Sequence, residues 1–172
     1  MSVRTARTQG EALALNICKN KLPIDVEKVA ETLNLQIIRK DLGADVSGLL
    51  ISGHGVSIVA VHEDNAPKRQ RFTIAHEIGH HVLGHQFGEH VHVDHGIVVT
   101  PRNSKSETGA DPKEVEANQF AAALLMPSTL VEEYINSNNM RPLKDIHVEK
   151  LADAFAVSEQ AMAIRLTSLG YL

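Results

Sequence analysis

The sequence contains no tryptophan, a single cysteine and only 3% aromatic residues among its 172 positions. One cysteine excludes an internal disulfide bond, so the composition is compatible with a reducing compartment. The scarcity of aromatic side chains argues against a base-stacking platform for nucleic acid. The net charge of −4, with a pI near 6.2, gives no basic face for a phosphate backbone. We therefore expect no direct nucleic-acid partner.

Long apolar segments are also missing. The first ten residues, MSVRTARTQG, contain no apolar segment of signal-peptide length, and no later stretch is long and apolar enough to cross a bilayer. These absences predict a cytoplasmic protein with no membrane partner. With 43% hydrophobic and 22% charged residues, the chain is nevertheless long enough to bury a hydrophobic core.

The order of predicted elements in the first third of the chain indicates an α+β fold. Apolar residues at helical spacing in 11–20 and 23–35 predict two N-terminal helices, the second with Asp25 as its N-cap. Three short segments rich in β-branched residues follow, namely LQIIRK, SGLLIS and VSIVAV, and the GHG link at 53–55 predicts a hairpin between the last two. Together they predict a small antiparallel three-stranded sheet.

The remaining two thirds of the chain return to helical spacing. A helix is predicted over 65–85, with Pro67 near its start. Residues 86–113 are polar and rich in glycine and proline, which predicts a functional loop or a partly disordered segment. The segment EVEANQFAAALLM resumes a helix that Pro127 ends, and helical patterns complete the C-terminal third.

The segment RFTIAHEIGHHVLGH, residues 71–85, places several histidines on an otherwise apolar helix. His76 and His80 are four residues apart, so they share a helix face and can direct their imidazole rings at one ion. A catalytic zinc ion takes three protein ligands and leaves one position for water. Glu77 lies beside the first histidine, where it can take a proton from the water that zinc activates. The H-E-x-x-H spacing therefore predicts a zinc site with Glu77 as the catalytic base.

Three neighbouring features favour this interpretation over a helix that merely carries exposed histidines. The helix is apolar, a second helix with acidic residues follows it, and Gly79 is accepted in its interior at a cost of roughly 1 kcal/mol relative to alanine. The glycine suggests that another segment or the substrate approaches closely. We expect His81 and His85 to be exposed or to support the ligands from outside the site.

The third ligand is expected within EVEAN, where two carboxylates compete. Glu114 and Asn118 are four residues apart and share a helix face, whereas Glu116 points about 200° away from Glu114. Only one of these two carboxylates can therefore bind the zinc ion that His76 and His80 share. Glu114 also has a purely structural interpretation, because Asp111 as N-cap with Glu114 at the third helical position is close to a capping box. The residues alone leave both carboxylates open.

Two further patterns carry less weight. The segment HQFGEHVHVDH, residues 85–95, could form a second metal site or modulate the first, but we expect a solvated loop and leave it out of the site. Near the C-terminus, two predicted helices with Ser158 as an N-cap superficially resemble a DNA-reading module. The second of them offers only Arg165 as a basic side chain, which is too few to neutralise several phosphates. Packing or protein recognition is the better interpretation.

The pair RFTIAHEIGHHVLGH and EVEANQFAAALLMP resembles the ImmA/IrrE family of metallopeptidases, and PIDVEKVAETLNL, SGLLI and LADAFAVSEQAMAIRLTSLG fit that family's layout. The resemblance implies a zincin-like domain, for which we expect residues 1–130, followed by a helical C-terminal extension, 131–172, packed on the same domain. It also implies one zinc ion and proteolysis of a transcriptional repressor, often of the helix-turn-helix type. It selects Glu114 as the third ligand, with Asn118 hydrogen-bonding a ligand histidine to fix its tautomer.

Two function classes follow from these patterns. One is a zinc endopeptidase in which His76, His80 and Glu114 hold the ion, and an extended peptide pairs with an exposed sheet edge. The other is a non-catalytic regulator that keeps zinc structurally and binds a repressor or another protein. An open coordination position separates the two, because structural zinc sites are closed by four protein ligands. No motif identifies an oxyanion donor, and Tyr134 is a candidate without such support.

Overall fold

The computed structural model describes residues 2–19, 21–53, 56–85, 91–94 and 111–172, and these form a mixed α+β fold. Its elements are α1 (Val3–Cys18), α2 (Val26–Thr32), β1 (Leu35–Lys40), β2 (Gly48–Gly53), β3 (Val56–His62), α3 (Pro67–Val82), β4 (Val91–Asp94), α4 (Pro112–Leu125), α5 (Ser128–Ser137), α6 (Asp145–Ala154) and α7 (Glu159–Ser168). The fold class predicted from the sequence is therefore confirmed.

The sheet has four strands in the order β1, β3, β2, β4. β2 and β3 are antiparallel, as the predicted hairpin requires, with Gly53 opposite Val56; the linking residues 54–55 lie outside the described part. The prediction of a three-stranded antiparallel sheet was wrong in two respects. β4 adds a fourth strand beside β2, and β1 pairs with β3 in the parallel direction. Because β3 lies between β1 and β2, the consecutive strands β1 and β2 are not neighbours, and local patterns do not reveal such an arrangement.

Most helix ends follow the capping signals in the sequence. The side chains of Asp25, Asp111 and Ser158 each accept a hydrogen bond from a backbone N–H in the first turn of α2, α4 and α7. Pro67 and Pro112 occupy the first position of α3 and α4, where a missing N–H costs no helical hydrogen bond. None of the helices in the described part is long and apolar enough to span a membrane.

Helix α3 packs between the sheet and α4, and two glycines make this close packing feasible. A Cβ on Gly79 would lie 3.1 Å from the Phe120 ring and 3.2 Å from the carbonyl oxygen of Ala117. The close approach expected at Gly79 is confirmed, and α4 is the approaching segment. On the other face of α3, a Cβ on Gly48 of β2 would collide with Thr73.

The C-terminal helices share one hydrophobic core with the rest of the described chain, from Ala6 to Leu166. Arg165 of α7 is only 3% exposed; it donates to the Met126 carbonyl oxygen at 2.9 Å and pairs with Glu11 of α1. This arginine is thus used in packing between α7, α1 and the end of α4.

Candidate metal centre

Four side chains from three elements converge on one buried point. His76 and His80 come from α3, His92 from β4 and Glu114 from α4, and one ligand atom from each lies within 4.8 Å of all the others. The Glu114 carboxylate is 3.2 Å from His76 Nε2 and 3.3 Å from His80 Nε2. Tetrahedral coordination with zinc bonds of about 2.0–2.1 Å requires ligand atoms about 3.3 Å apart. The three residues named from the sequence are therefore close enough to share one ion.

The two histidines of the HExxH segment present the same ring atom to this point. Their Nε2 atoms are 2.9 Å apart, and their rings meet edge to face with centroids separated by 4.5 Å. Both side chains are 0% exposed. The i, i+4 spacing on α3 thus brings His76 and His80 together as the helical geometry predicts.

Asn118 lies on the outer side of His76. Its Oδ1 atom is 3.0 Å from His76 Nδ1, and because an amide oxygen can only accept, Nδ1 carries the proton. The lone pair of His76 is then on Nε2, facing Glu114. This is the tautomer that a metal ligand must adopt, so the contact implied by the family resemblance is present at the expected residue.

Glu116 faces away from the cluster, as its position about 200° around α4 from Glu114 requires. Its Oε2 atom lies 3.1 Å from Nε2 of His85, whose side chain is 6% exposed. Of the two carboxylates left open by the sequence, Glu114 is the one within reach of His76 and His80. Glu114 uses its carboxylate on the histidines, although it occupies the position that suggested a capping box.

His92 is the residue that sequence reasoning missed. Residues 85–95 were expected to form a solvated loop, which is wrong for 91–94, while 86–90 and 95 lie outside the described part. β4 turns His92 and Asp94 inward, at 7% and 5% exposure, and leaves Val91 and Val93 outward at 39% and 38%. The alternation V-H-V-D was a usable strand signal, but its polarity is the reverse of an ordinary half-buried strand.

His92 bridges two carboxylates of the centre. Its Nδ1 is 3.0 Å from Glu77 Oε2, and its Nε2 is 3.0 Å from Glu114 Oε1. Burial alone would lower the pKa of His92, but the hydrogen bonds to Glu114 and Glu77 outweigh it and raise the pKa to about 9. A positive charge between these two carboxylates is therefore favoured at neutral pH.

His80 and Glu114 are held in the protonation states that bind metal. Burial lowers the pKa of His80 to about 4, so its imidazole is neutral at pH 7. Burial would raise the pKa of Glu114, but the adjacent imidazole rings of His76, His80 and His92 hold that pKa well below its usual range. Neutral imidazole and ionised carboxylate are the forms that coordinate a divalent ion.

Glu77 is fully buried and only partly satisfied. Its Oε2 contacts His92, whereas its Oε1 makes no hydrogen bond with any residue in the described ranges. Burial raises the pKa of Glu77. An unpaired buried acceptor costs about 1–3 kcal/mol, and such a group in a native site calls for a functional explanation. A proton acceptor next to a metal centre is one, and the nitrogen and oxygen donors around it fit a zinc ion.

Tyr134, the oxyanion donor considered from the sequence, packs its ring against Phe155 with centroids 6.1 Å apart. That contact belongs to the C-terminal hydrophobic layer and gives no support to a role at the metal centre.

Comparison with known proteins assigns the chain to a family. No curated protein matches it closely enough to be counted as a relative. The family model Peptidase_M78, described as the IrrE N-terminal-like domain, matches residues 30–167, which is more than half of the chain and includes the whole α3, β4 and α4 assembly of the centre. This match agrees with the paired HExxH and EVEAN helices, and the chain belongs to the Peptidase_M78 family, the ImmA/IrrE family that the sequence resembled.

Proposed function

We propose that the protein is a zinc-dependent endopeptidase that cleaves a partner transcriptional repressor. The observation that carries this proposal is Glu77, a buried carboxylate beside His76, His80 and Glu114, one oxygen of which has no hydrogen-bond partner among the described residues. A zinc ion with a purely structural role has no use for such a proton acceptor. A hydrolase that attacks peptides with water requires one.

His76, His80 and Glu114 would hold the ion in this enzyme. A bound zinc ion would supply Lewis-acid chemistry, polarising the scissile carbonyl and lowering the pKa of water. Asn118 keeps the Nε2 lone pair of His76 directed inward, so the site is organised before the ion arrives.

Glu77 carries the proton transfers. Its Oε1 accepts the proton of the attacking water, and the same carboxylate then returns that proton to the leaving amine. Burial raises the pKa of Glu77, which makes it a better base when ionised and a competent acid after it has gained the proton. His92 contacts Oε2 at 3.0 Å, which leaves Oε1 as the oxygen available to take the proton.

The substrate is expected to bind as an extended segment. β4 is an edge strand of the sheet that the described residues form, and it carries His92 into the metal centre. A peptide that pairs its backbone with this edge would bring a carbonyl group close to Glu77 and Glu114. A repressor of the helix-turn-helix type, implied by the family resemblance, would therefore have to present an extended or unfolded segment for cleavage.

A second candidate function is supported by the number of side chains in the centre. His92 completes a group of four, and a zinc ion with four protein ligands is closed and structural. In that arrangement His92 Nε2 would bind the ion, and Glu77 would only orient His92 through its Nδ1 atom. The protein would then be a non-catalytic regulator that acts by binding its partner.

The variant Glu77→Gln tests the proposal, because it preserves size and leaves every ligand candidate in place. We expect zinc content, fold and repressor binding to match the parent, while cleavage falls by about 10²–10⁴-fold, toward the larger end because one carboxylate serves two proton transfers. Metal analysis, a binding assay with repressors encoded beside the protein, and mass spectrometry of cleavage products measure these three quantities. In cells, the target genes should stay repressed.

Glu133→Gln makes the same chemical change at an exposed position of α5 and serves as the control, with parental cleavage expected. If Glu77→Gln relieves repression as well as the parent does, the protein acts by binding alone and the protease proposal fails.

A further inference from the structure

Two residues outside the ligand set form a hydrogen-bonded chain that ends on His80. His80 Nδ1 is 2.9 Å from His85 Nδ1, and His85 Nε2 is 3.1 Å from Glu116 Oε2. The side chains of His85 and Glu116 are only 6% and 8% exposed. We propose that His85 and Glu116 are positioning residues that fix the tautomer and ring orientation of His80 for metal binding, a role that rests on the metal site of the proposed function.

The direction of each hydrogen bond in this chain follows from the acceptor at its end. A carboxylate can only accept, so His85 donates from Nε2 to Glu116. A neutral His85 then has its lone pair on Nδ1, where it accepts from His80 Nδ1–H. The remaining lone pair of His80 is on Nε2, which points at Glu114, 3.3 Å away. Glu116 thus determines, through His85, which nitrogen of His80 carries the lone pair for metal binding.

The backbone at the end of α3 explains why His85 reaches His80. Gly84 has a φ of 66°, in the left-handed region that favours glycine. The N–H of Gly84 bonds to the His81 carbonyl at 3.2 Å, and the N–H of His85 bonds to the His80 carbonyl at 3.0 Å. This pattern is a Schellman motif, which turns the chain back over the last helical turn. His85 therefore follows the helix in sequence but lies against His80 in space.

Helix α4 supports both histidines of the HExxH segment from outside. Asn118 contacts the outer nitrogen of His76, and Glu116 reaches the outer nitrogen of His80 through His85. Glu114, on the opposite side of α4 from Glu116, faces the inner nitrogens. One helix turn thus carries a ligand candidate and the two groups that orient the other ligands, which gives both carboxylates of EVEAN a distinct use.

The variant His85→Leu tests the hydrogen-bonded chain from Glu116 through His85 to His80. His81→Leu is the matched control in the same stretch of chain. We expect His85→Leu to weaken zinc binding by about 10–100-fold in competition with a chelator, the usual cost of losing a group that orients a ligand. His81→Leu should bind zinc like the parent. Long-range ¹H–¹⁵N spectra of the zinc-free full-length protein should show His80 protonated at Nδ1 in the parent and in the control, but a mixture of tautomers in His85→Leu.

A rescue variant separates positioning from packing. In His85→Asn, the amide oxygen can take the place of Nδ1 and accept from His80, so this variant should recover both the Nδ1–H tautomer and most of the zinc affinity. The proposal is overturned if His85→Leu matches the control in zinc affinity and His80 tautomer. It is also overturned if His85→Asn and His85→Leu lose the same zinc affinity. Should His85→Leu fail to fold, the comparison of His85→Asn with Glu116→Ala tests the proposal instead. Only Glu116→Ala should then show a mixture of His80 tautomers.

These measurements use zinc and no substrate. Their failure would therefore be distinguishable from failure of the protease proposal, which rests on loss of cleavage with zinc retained in Glu77→Gln.

Discussion

The metal centre is drawn from two regions that are held in place by different means. The α3–α4 pair supplies His76, His80 and Glu114, and it is locked by direct helix contact at Gly79. Strand β4 supplies His92 from only four described residues, paired with β2 at one edge of the sheet. Helix packing holds positions through many apolar contacts, whereas a short edge strand depends on a few hydrogen bonds. We infer that the helix pair determines whether metal binds, and that β4 adjusts how the bound metal is used.

The largest effect is expected when the helix pair loses a histidine. His76→Ala or His80→Ala should lose stoichiometric zinc and all cleavage. Zinc binding of about 10–16 kcal/mol, shared among three or four ligands, amounts to about 3–5 kcal/mol per ligand, or roughly 10²–10⁴-fold in affinity. Metal analysis after dialysis and the melting temperature with and without zinc measure the loss. Full retention of zinc in both single variants would show that His76 and His80 are not zinc ligands.

A smaller difference is expected between the two carboxylates of α4. Glu114→Ala should weaken zinc binding by an amount comparable to the histidine variants, because Glu114 lies 3.2–3.3 Å from both Nε2 atoms. Glu116→Ala acts only through His85 and should cost no more than about 10–100-fold. Chelator competition on the two variants side by side gives the ratio. The reverse order would move the third ligand to Glu116.

The helix pair is also the region that the sequence predicted well, for a physical reason. His76, Glu77 and His80 are related by helical periodicity alone, and Glu114 with Asn118 by the same rule on a second helix. Gly79 added a nonlocal clue, since an interior glycine that costs stability suggests close contact, and α4 is indeed what approaches it. Local spacing could therefore identify both halves of the site before their contact was known.

The sheet side was predicted poorly because its contacts are not encoded locally. His92 lies on a strand that buries its polar side chains and exposes its valines. From the sequence, the same alternation predicts that the valines are the buried side chains. The parallel pairing of β1 with β3 depends on where the chain returns after β1, which periodicity does not report. His85 was a similar case: Gly84 marked the helix end, but only its left-handed conformation brings His85 back to His80.

The smallest expected effect on metal binding comes from His92, and it sharpens the contrast between the two regions. His92→Asn keeps a polar group near the Nδ1 position, which can still donate to Glu77, and it removes Nε2, the atom that faces Glu114. If β4 only adjusts the centre, zinc affinity should fall by about 10-fold or less, the lower end of the cost of losing a hydrogen bond to a ligating carboxylate. The absorption spectrum of the cobalt-substituted protein should then be the same for parent and variant, and most cleavage should remain.

His92→Leu removes both contacts of the imidazole, the one with Glu77 and the one with Glu114. Glu77 would lose the partner of Oε2, so cleavage should fall further than in His92→Asn while zinc affinity stays near that of the Asn variant. A closed, non-catalytic centre predicts the opposite pattern, because His92 Nε2 would be a ligand in its own right. Both substitutions would then weaken zinc binding as severely as Glu114→Ala, and the cobalt spectrum would change in both. That outcome would make β4 as necessary for metal binding as the helix pair. It would favour a regulator that acts by binding over a peptidase.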